Sequence, residues 1–177
     1  MTAVQFRDWA AAQDSPYEFD GSEPVAMTGG TPGHGVIAVN ITTALRTRLR
    51  GGLCSGLGSD AGVRTEGEKV RFPDATVTCS PFTASDPFTP DPIIVFEVIS
   101  PDSIRRDRVD KVREYALVPS IRRYVIVETG SRELTVLYRH ANAEEWGMEI
   151  LTSGDTLTLP EVGLRIPVAE IYEDSSE

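Results

Sequence analysis

A chain of 177 residues that is 40% hydrophobic has the size and apolar content of one well-buried domain, and too little length for two comfortable ones. Its formal net charge of -10 excludes a general surface attraction for nucleic acid, so any contact with a phosphate backbone has to be local. No apolar run approaches a membrane span, MTAVQFRDWAAAQ lacks the regions of a signal peptide, and Cys54 and Cys79 have no metal-ligand spacing, so a cytoplasmic protein is expected.

Val4 to Ala12 reads as a short helix, with Phe6 and Trp9 three residues apart. Tyr17 to Phe19 enters a turn at Asp20-Gly21, a strong hairpin signal, and Glu23 to Met27 returns. Glu18 in that strand faces either a cleft or solvent. The glycine-rich TGGTPGHG of Thr28 to Gly35 lacks the spacing and the terminal Lys-Ser/Thr of a phosphate-binding loop. The helix after it sets Ile37, Ile41, Ala44 and Leu45 on one face and stops at Gly51-Gly52. Arg46, Arg48 and Arg50 cluster near its end, where cations are favoured. His34 stands at its entrance, as a cap or structural residue or over a cleft.

Leu53 to Leu57 and the neighbourhood of Val63 read as short strands, and Asp74 opens another, Ala75 to Cys79. Ser80 to Pro92 holds four prolines and is surface loop. Ile93 to Ile99 is then an almost unbroken apolar run. Ile93, Val95, Glu97 and Ile99 share one face, and Ile94, Phe96 and Val98 the other, as in an internal strand covered on both sides. Glu97 is the exception in that run. An ionised carboxylate there must be paired, hydrogen-bonded or metal-bound.

Ser100-Pro101 or Asp102 can begin the next helix. Val109, Val112 and Ala116 form its apolar stripe, Asp107 and Lys111 lie four residues apart on another face, and Pro119 ends it. Arg123 to Glu128 and Arg132 to Tyr138 read as strands joined at Gly130, followed by strands at Trp146 to Leu151, Leu157 to Pro160 and Val162 to Ile166. The order predicts an α/β (α+β) domain with a mixed central sheet over residues 1–172, and an acidic tail, 173–177, that frays.

Asp74 and Glu97 offer hard oxygen atoms. On neighbouring strands they can share one Mg²⁺, with Mn²⁺ as a substitute, the Val98 carbonyl as a further ligand and water completing the shell. Lys111 can offset charge developing on a phosphodiester, while Glu18, through water, and His34 stay peripheral. Arg105, Arg106, Arg108, Lys111 and Arg113, with Arg46, Arg48 and Arg50, supply a local basic surface. Two other readings remain: Glu97 pairs with an arginine for structural reasons, or the carboxylates hydrolyse a glycoside.

Several segments carry a resemblance: YEFDG at 17–21, His34 with Asn40, FPDATV at 72–77, FEVISPDS at 96–103, DRVDKVREY at 107–115, RRYVIVE, LTVLYRH and LTLPEVGLRIPVAEIY. In these the chain resembles the Uma2 family, a bacterial group named for a proposed restriction-endonuclease activity and assigned to the PD-(D/E)XK nuclease-like fold. The resemblance implies a restriction-endonuclease-like mixed sheet flanked by helices, with additional N- and C-terminal strands. It implies Asp74 and Glu97 as metal ligands and DNA as substrate, cut by a homodimer. Ile99 stands where the usual lysine follows the second acid, so the basic residue is expected from the next helix, as Lys111. Glu18 and His34 match recurrent polar positions near the cleft, and Asp107 and Tyr115 would hold the lysine-bearing helix. Tyr124-Val125 and Glu128-Thr129 depart from the family's usual pairs. A nuclease fold can also serve as a catalytically silent domain that binds nucleic acid or a protein partner.

Overall fold

The computed structural model describes residues 1–99, 105–140 and 145–175, and of 105–108 the backbone alone. Helix α1 (Ala3–Ala10) starts on a reciprocal cap, Thr2 accepting from the Gln5 N–H and the Gln5 side chain from the Thr2 N–H. Strands β1 (Tyr17–Phe19) and β2 (Pro24–Ala26) form the expected hairpin. Gly21 takes φ of 94° at its turn, and Asp20 Oδ1 accepts the Ser22 and Glu23 N–H groups. Helix α2 (Pro32–Leu49) has Thr31 as N-cap and proline in its first turn. Short strands β3 (Ser55–Gly58), β4 (Val63–Arg64), β5 (Val70–Arg71) and β6 (Ala75–Thr78) lead to β7 (Pro92–Ile99). After α3 (Arg105–Leu117) come β8 (Arg123–Glu128), β9 (Leu134–Arg139), β10 (Trp146–Leu151), β11 (Thr156–Leu159), β12 (Leu164–Pro167) and the short α4 (Val168–Ile171).

Six strands form the central sheet in the order β10-β9-β8-β7-β6-β3. Only β7 and β8 run parallel within it, and α3 supplies the crossover that a parallel pair requires. Ile94, Phe96 and Val98 face one layer, where Ile37, Ile41, Ala44 and Leu45 of α2 pack with β11, β12 and α4. Gly56 permits that packing, since a Cβ there would meet Leu45 Cβ at 2.8 Å. On the other face, Val95 packs with Val63, Tyr115, Ile121, Tyr124 and Ile126. A second sheet, β2-β1-β5-β4, is sealed beneath α1 by Phe6, Phe19 and Val70. Its role at the site is to present Glu18 and Arg71.

The sequence reading departs from this architecture in particular places. The two-residue β5 was not anticipated, because its pairing is decided by β1 and β4 rather than by a pattern of its own. The apolar stripe drawn through Val109, Val112 and Ala116 is right at Val112, which packs against the Val95 cluster, and wrong at Val109. Val109 is 63% exposed, whereas Glu114 and Tyr115 are buried, so the inward side of α3 is partly polar and periodicity could not find it. Arg46, Arg48 and Arg50 do not join the site, lying at the far end of α2, about 18 Å or more from His34 by helix rise. Arg48 there makes a two-pronged pair with Glu170. Of the tail 173–177, the described part is hydrogen-bonded, with the Ser175 carbonyl accepting from Arg132 and Asn40 bonding the Ile171 and Glu173 carbonyls, and residues 176–177 lie outside the described residues. The helix start proposed at Ser100, Pro101 or Asp102 lies outside the described residues, as do the side chains of Arg105, Arg106, Asp107 and Arg108. No helix among the described residues is long and apolar enough to cross a membrane.

Cys54 and Cys79, which spacing alone left without a role, are joined in a disulfide one residue beyond the Ser55↔Thr78 pair. The bond ties the edge strand β3 to β6 and persists where the surroundings are oxidising. It closes a loop between residues 25 apart. Reduction, or Cys54→Ser with Cys79→Ser, should lower stability in denaturant unfolding by about 3 kcal/mol, with far-ultraviolet circular dichroism unchanged.

Candidate active site

Glu97 arises from β7 on the α3 side of the sheet and is only 5% exposed. Two side chains of α3 compensate it: Tyr115 donates its hydroxyl to Oε1 at 2.8 Å, and Lys111 Nζ reaches Oε2 at 3.2 Å. Positions 111 and 115 are one helical turn apart and so lie on one face. Desolvation pushes the Glu97 pKa up to about 7; Lys111 and the Tyr115 hydrogen bond work against that, and the charges of Glu18 and Asp74 add to it. Burial, reinforced by the Glu97 charge, holds the Tyr115 hydroxyl well above its ordinary pKa, so it remains a neutral donor.

Asp74 sits one residue before β6, and the antiparallel register of Ala75 with Phe96 directs it toward the Glu97 segment. Its Oδ2 accepts the Val98 N–H at 2.7 Å, which locks the carboxylate to β7. Its Oδ1 lies 3.3 Å from Nε2 of His34, delivered by the first turn of α2. The hydrogen bond to Asp74 raises the His34 pKa despite partial burial, with help from a bond to the Val98 carbonyl. The ring of His34 therefore stands between two of the oxygens expected to bind a metal.

The third acid, Glu18 of β1, faces the cleft and is buried, which resolves the choice between cleft and solvent. One of its oxygens lies 3.4 Å from Lys111 Nζ, and the other accepts from Arg71 NH1 at 3.1 Å. Arg71 grips Glu114 with Nε and NH2 at 2.7 and 2.8 Å, and Lys69 donates to the same carboxylate at 2.9 Å. Burial opposes charge on both members of the Arg71–Glu114 pair, but their hydrogen bonds prevail, raising the arginine pKa and lowering the carboxyl's.

The structure thus brings Glu18, His34, Asp74, Glu97, Lys111 and Tyr115 together, with the Val98 backbone between Asp74 and His34. The side chain of Asp107 lies outside the described residues. Sequence reasoning missed Lys69, Arg71 and Glu114. A compositional signal was available: of the 17 basic residues only Lys69 and Lys111 are lysines, and both belong to this network.

For a metal, the donor chemistry fits a hard divalent cation: two carboxylates and a backbone carbonyl, all oxygen. Among the described residues, no three His, Cys, Asp or Glu side chains gather as a ligand set by themselves. Such a sparse set suits Mg²⁺, which keeps several waters, better than zinc or an all-protein calcium cage.

The fold is a mixed sheet with helices on both faces, and it sets Asp74 and Glu97 side by side where β6 pairs with β7. A crystal structure of "a putative nuclease belonging to DUF820" from Anabaena variabilis ATCC 29413 has the same fold, with a TM-score of 0.76 over 99% of each chain at 12% identity. The chain belongs to the Uma2 family, described as "Putative restriction endonuclease", which it matches over residues 3–169. It is also 32% identical over 174 residues to the uncharacterized protein slr1290 of Synechocystis sp. (strain ATCC 27184 / PCC 6803 / Kazusa), covering 97% of this chain and 91% of that protein.

The Glu97 pKa of about 7 lies above its unfolded value of 4.5, so the folded protein holds this proton more tightly. This contribution to stability is fully present below roughly pH 4.5 and is lost as pH rises to about 7, a swing of about 3 kcal/mol. In metal-free denaturant unfolding, wild-type stability should fall from about pH 5 to about pH 8 more steeply than that of Glu97→Gln. At the higher pH, Glu97→Gln should be at least as stable as wild type. A loss of several kcal/mol there would mark a purely structural ion pair with a stranded partner.

Proposed function

We propose that the site hydrolyses phosphodiester bonds in DNA with a divalent metal, Mg²⁺ in the first instance. The observation that carries this reading is the junction of β6 and β7. There Asp74 is bonded to the backbone of Val98, next to a buried Glu97 that shares an oxygen with Lys111. Asp74, Glu97 and the Val98 carbonyl would hold the ion, once His34 releases Asp74 and Val98. A bound Mg²⁺ supplies Lewis-acid polarisation of a phosphoryl oxygen and lowers the pKa of water.

The chain's own residues do the remaining work. Tyr115 fixes one Glu97 oxygen, so the carboxylate presents the other in a set direction. Lys111, held by Glu97 and Glu18, offers its charge to the phosphate as negative charge develops in the transition state. Local charge reconciles this with an acidic chain. With all four carboxylates ionised and His34 neutral, Glu18, Asp74, Glu97 and Glu114 against Lys69, Arg71 and Lys111 leave one negative charge, and a proton on Glu97 or on His34 cancels it. In either state a divalent cation makes the local charge positive and the cleft attractive to a phosphodiester whatever the net charge elsewhere. The reading includes a homodimer, since two sites suit the cutting of both strands; solution mass at micromolar concentration tests it.

One observation favours a second reading, a catalytically silent domain that binds nucleic acid or a protein. None of the buried polar side-chain atoms named at this site lacks a partner, so it is satisfied without a metal. Supercoiled plasmid separates the two. With Mg²⁺ or Mn²⁺, chelator-treated protein should nick or linearise it, and Asp74→Asn and Lys111→Ala should each slow this by about 100-fold or more. Cleavage that persists in chelator, or that both substitutions leave intact, refutes the metal assignment. Intact plasmid with either ion leaves the silent domain.

A further inference from the structure

We propose that Arg71 is the positioning residue of this site, fixing through Glu18 where Lys111 is held beside Glu97. The proposal rests on the hydrolytic reading for its catalytic consequence, but its geometric content stands apart from it. Arginine at 8% exposure is unusual unless paired, and Arg71 spends its whole fork on carboxylates. Two of its nitrogens make the planar, two-pronged pair with Glu114, which sets the orientation of the guanidinium. The remaining nitrogen is thereby aimed at Glu18 Oε2.

Glu18 is then held from two directions, by Arg71 on one oxygen and by the Phe72 N–H at 3.3 Å on the other. The second oxygen also faces Lys111 Nζ. Arg71 and Lys111 thus sit on opposite oxygens of one immobilised carboxylate. Lysine is a flexible point charge with four rotatable carbons and no directional fork, so a single partner would fix it poorly. Glu97 alone is a poor anchor for a second reason: in the proposed reaction its charge is shared with a metal. Glu18 gives Lys111 a berth that does not depend on that charge, and Arg71 keeps the berth in place. Arg71 touches neither Asp74 nor Glu97, so its contribution passes through Glu18.

Glu114 and Lys111 stand three residues apart on α3, one face of which bears both, and the Arg71–Glu114 pair fastens that face to β5. Arg71→Lys retains the charge and loses the fork. Glu18→Gln retains the volume and the Arg71–Glu114 pair, and removes the berth.

Because Lys69 and Lys111 are the only lysines, acylation of side-chain amines followed by peptide mass spectrometry reports on Lys111 directly in the whole protein. In wild type, with its side chain 14% exposed between two carboxylates, Lys111 should label slowly. In Arg71→Lys and in Glu18→Gln, at one pH and without metal, labelling of Lys111 should quicken by about tenfold, the weight of one charged hydrogen bond. Circular dichroism and cooperative unfolding establish that each variant is folded. If Arg71→Lys does not fold, Glu18→Gln alone decides. Unchanged Lys111 labelling in a folded variant overturns the proposal.

The second arm measures single-turnover plasmid cleavage and calorimetric Mn²⁺ binding. Arg71→Lys should lose about tenfold or more in the rate at saturating DNA, with half-saturation and Mn²⁺ affinity within about twofold of wild type. A variant that labels faster but cleaves at the wild-type rate also overturns the positioning role. Wild-type protein that cleaves nothing refutes the hydrolytic reading, and the labelling arm still decides the geometry.

Discussion

A carboxylate buried in a strand that is otherwise apolar on both faces needs compensation, and at Glu97, with Glu18 and Asp74 adding like charge, that need falls on one helix. Desolvation of such a group costs several kcal/mol unless a cation and a donor meet it with good geometry. Both come from α3, as Lys111 and Tyr115. The helix is therefore not docked by apolar contact alone. Val112 and Tyr115 pack against Val95 and Tyr124, yet the same face carries Lys111 and Glu114 into the interior. Once those two charges are buried they require partners in turn. Glu18 and Arg71 of the smaller sheet and Lys69, just before β5, provide them, and the N-terminal layer becomes a structural requirement of the site.

That chain of compensation decides which residues are legible from sequence. Ile93, Val95, Glu97 and Ile99 on one side of β7 and Ile94, Phe96 and Val98 on the other follow from period-two alternation, and the structure keeps that arrangement except at Ile93, which a register shift in the β6–β7 pairing leaves packed with the Ile94 cluster. Asp74 and Glu97 were visible because an acid inside or beside an apolar strand is costly and has to be explained. The face of α3 was not visible in the same way. Helical periodicity searches for apolar residues, and the inward residues here include Lys111 and Glu114, which look like an exposed helix until their partners are known. Arg71 escaped for a similar reason: a two-residue strand has no pattern, and burial of an arginine is decided by contacts from distant segments.

The disulfide shows the limit of spacing arguments from another direction. Cys54 and Cys79 are separated by the four short strands β3 to β6 and a 3-10 segment at Glu66–Glu68, so nothing local couples them. They meet because β3 and β6 pair antiparallel and each cysteine lies one residue past the same end of that pairing. A correct register for β3 against β6 would have predicted the bond. The sequence reading placed the strand at Leu53 to Leu57, and the shift to Ser55–Gly58 leaves Cys54 just outside the ladder.

The departure at Ile99 acquires a physical meaning in this frame. A lysine two positions after the second acid would share the Glu97 face of β7 and be held in place by the strand itself. Ile99 instead contributes apolar surface to the cluster beneath α3, and the cation is carried by the helix. A strand-borne lysine is fixed by the ladder hydrogen bonds around it, whereas a helix-borne one is only as well placed as the helix is docked. Moving the charge to α3 therefore transfers the precision of the site from β7 to the contacts that fasten α3. Those contacts are the two-pronged Arg71–Glu114 pair, the Lys69–Glu114 bond and the Tyr115–Glu97 bond. The buried ion pairs are then better understood as geometry than as stability, since a well-packed apolar interface could hold the helix as firmly but could not aim its lysine.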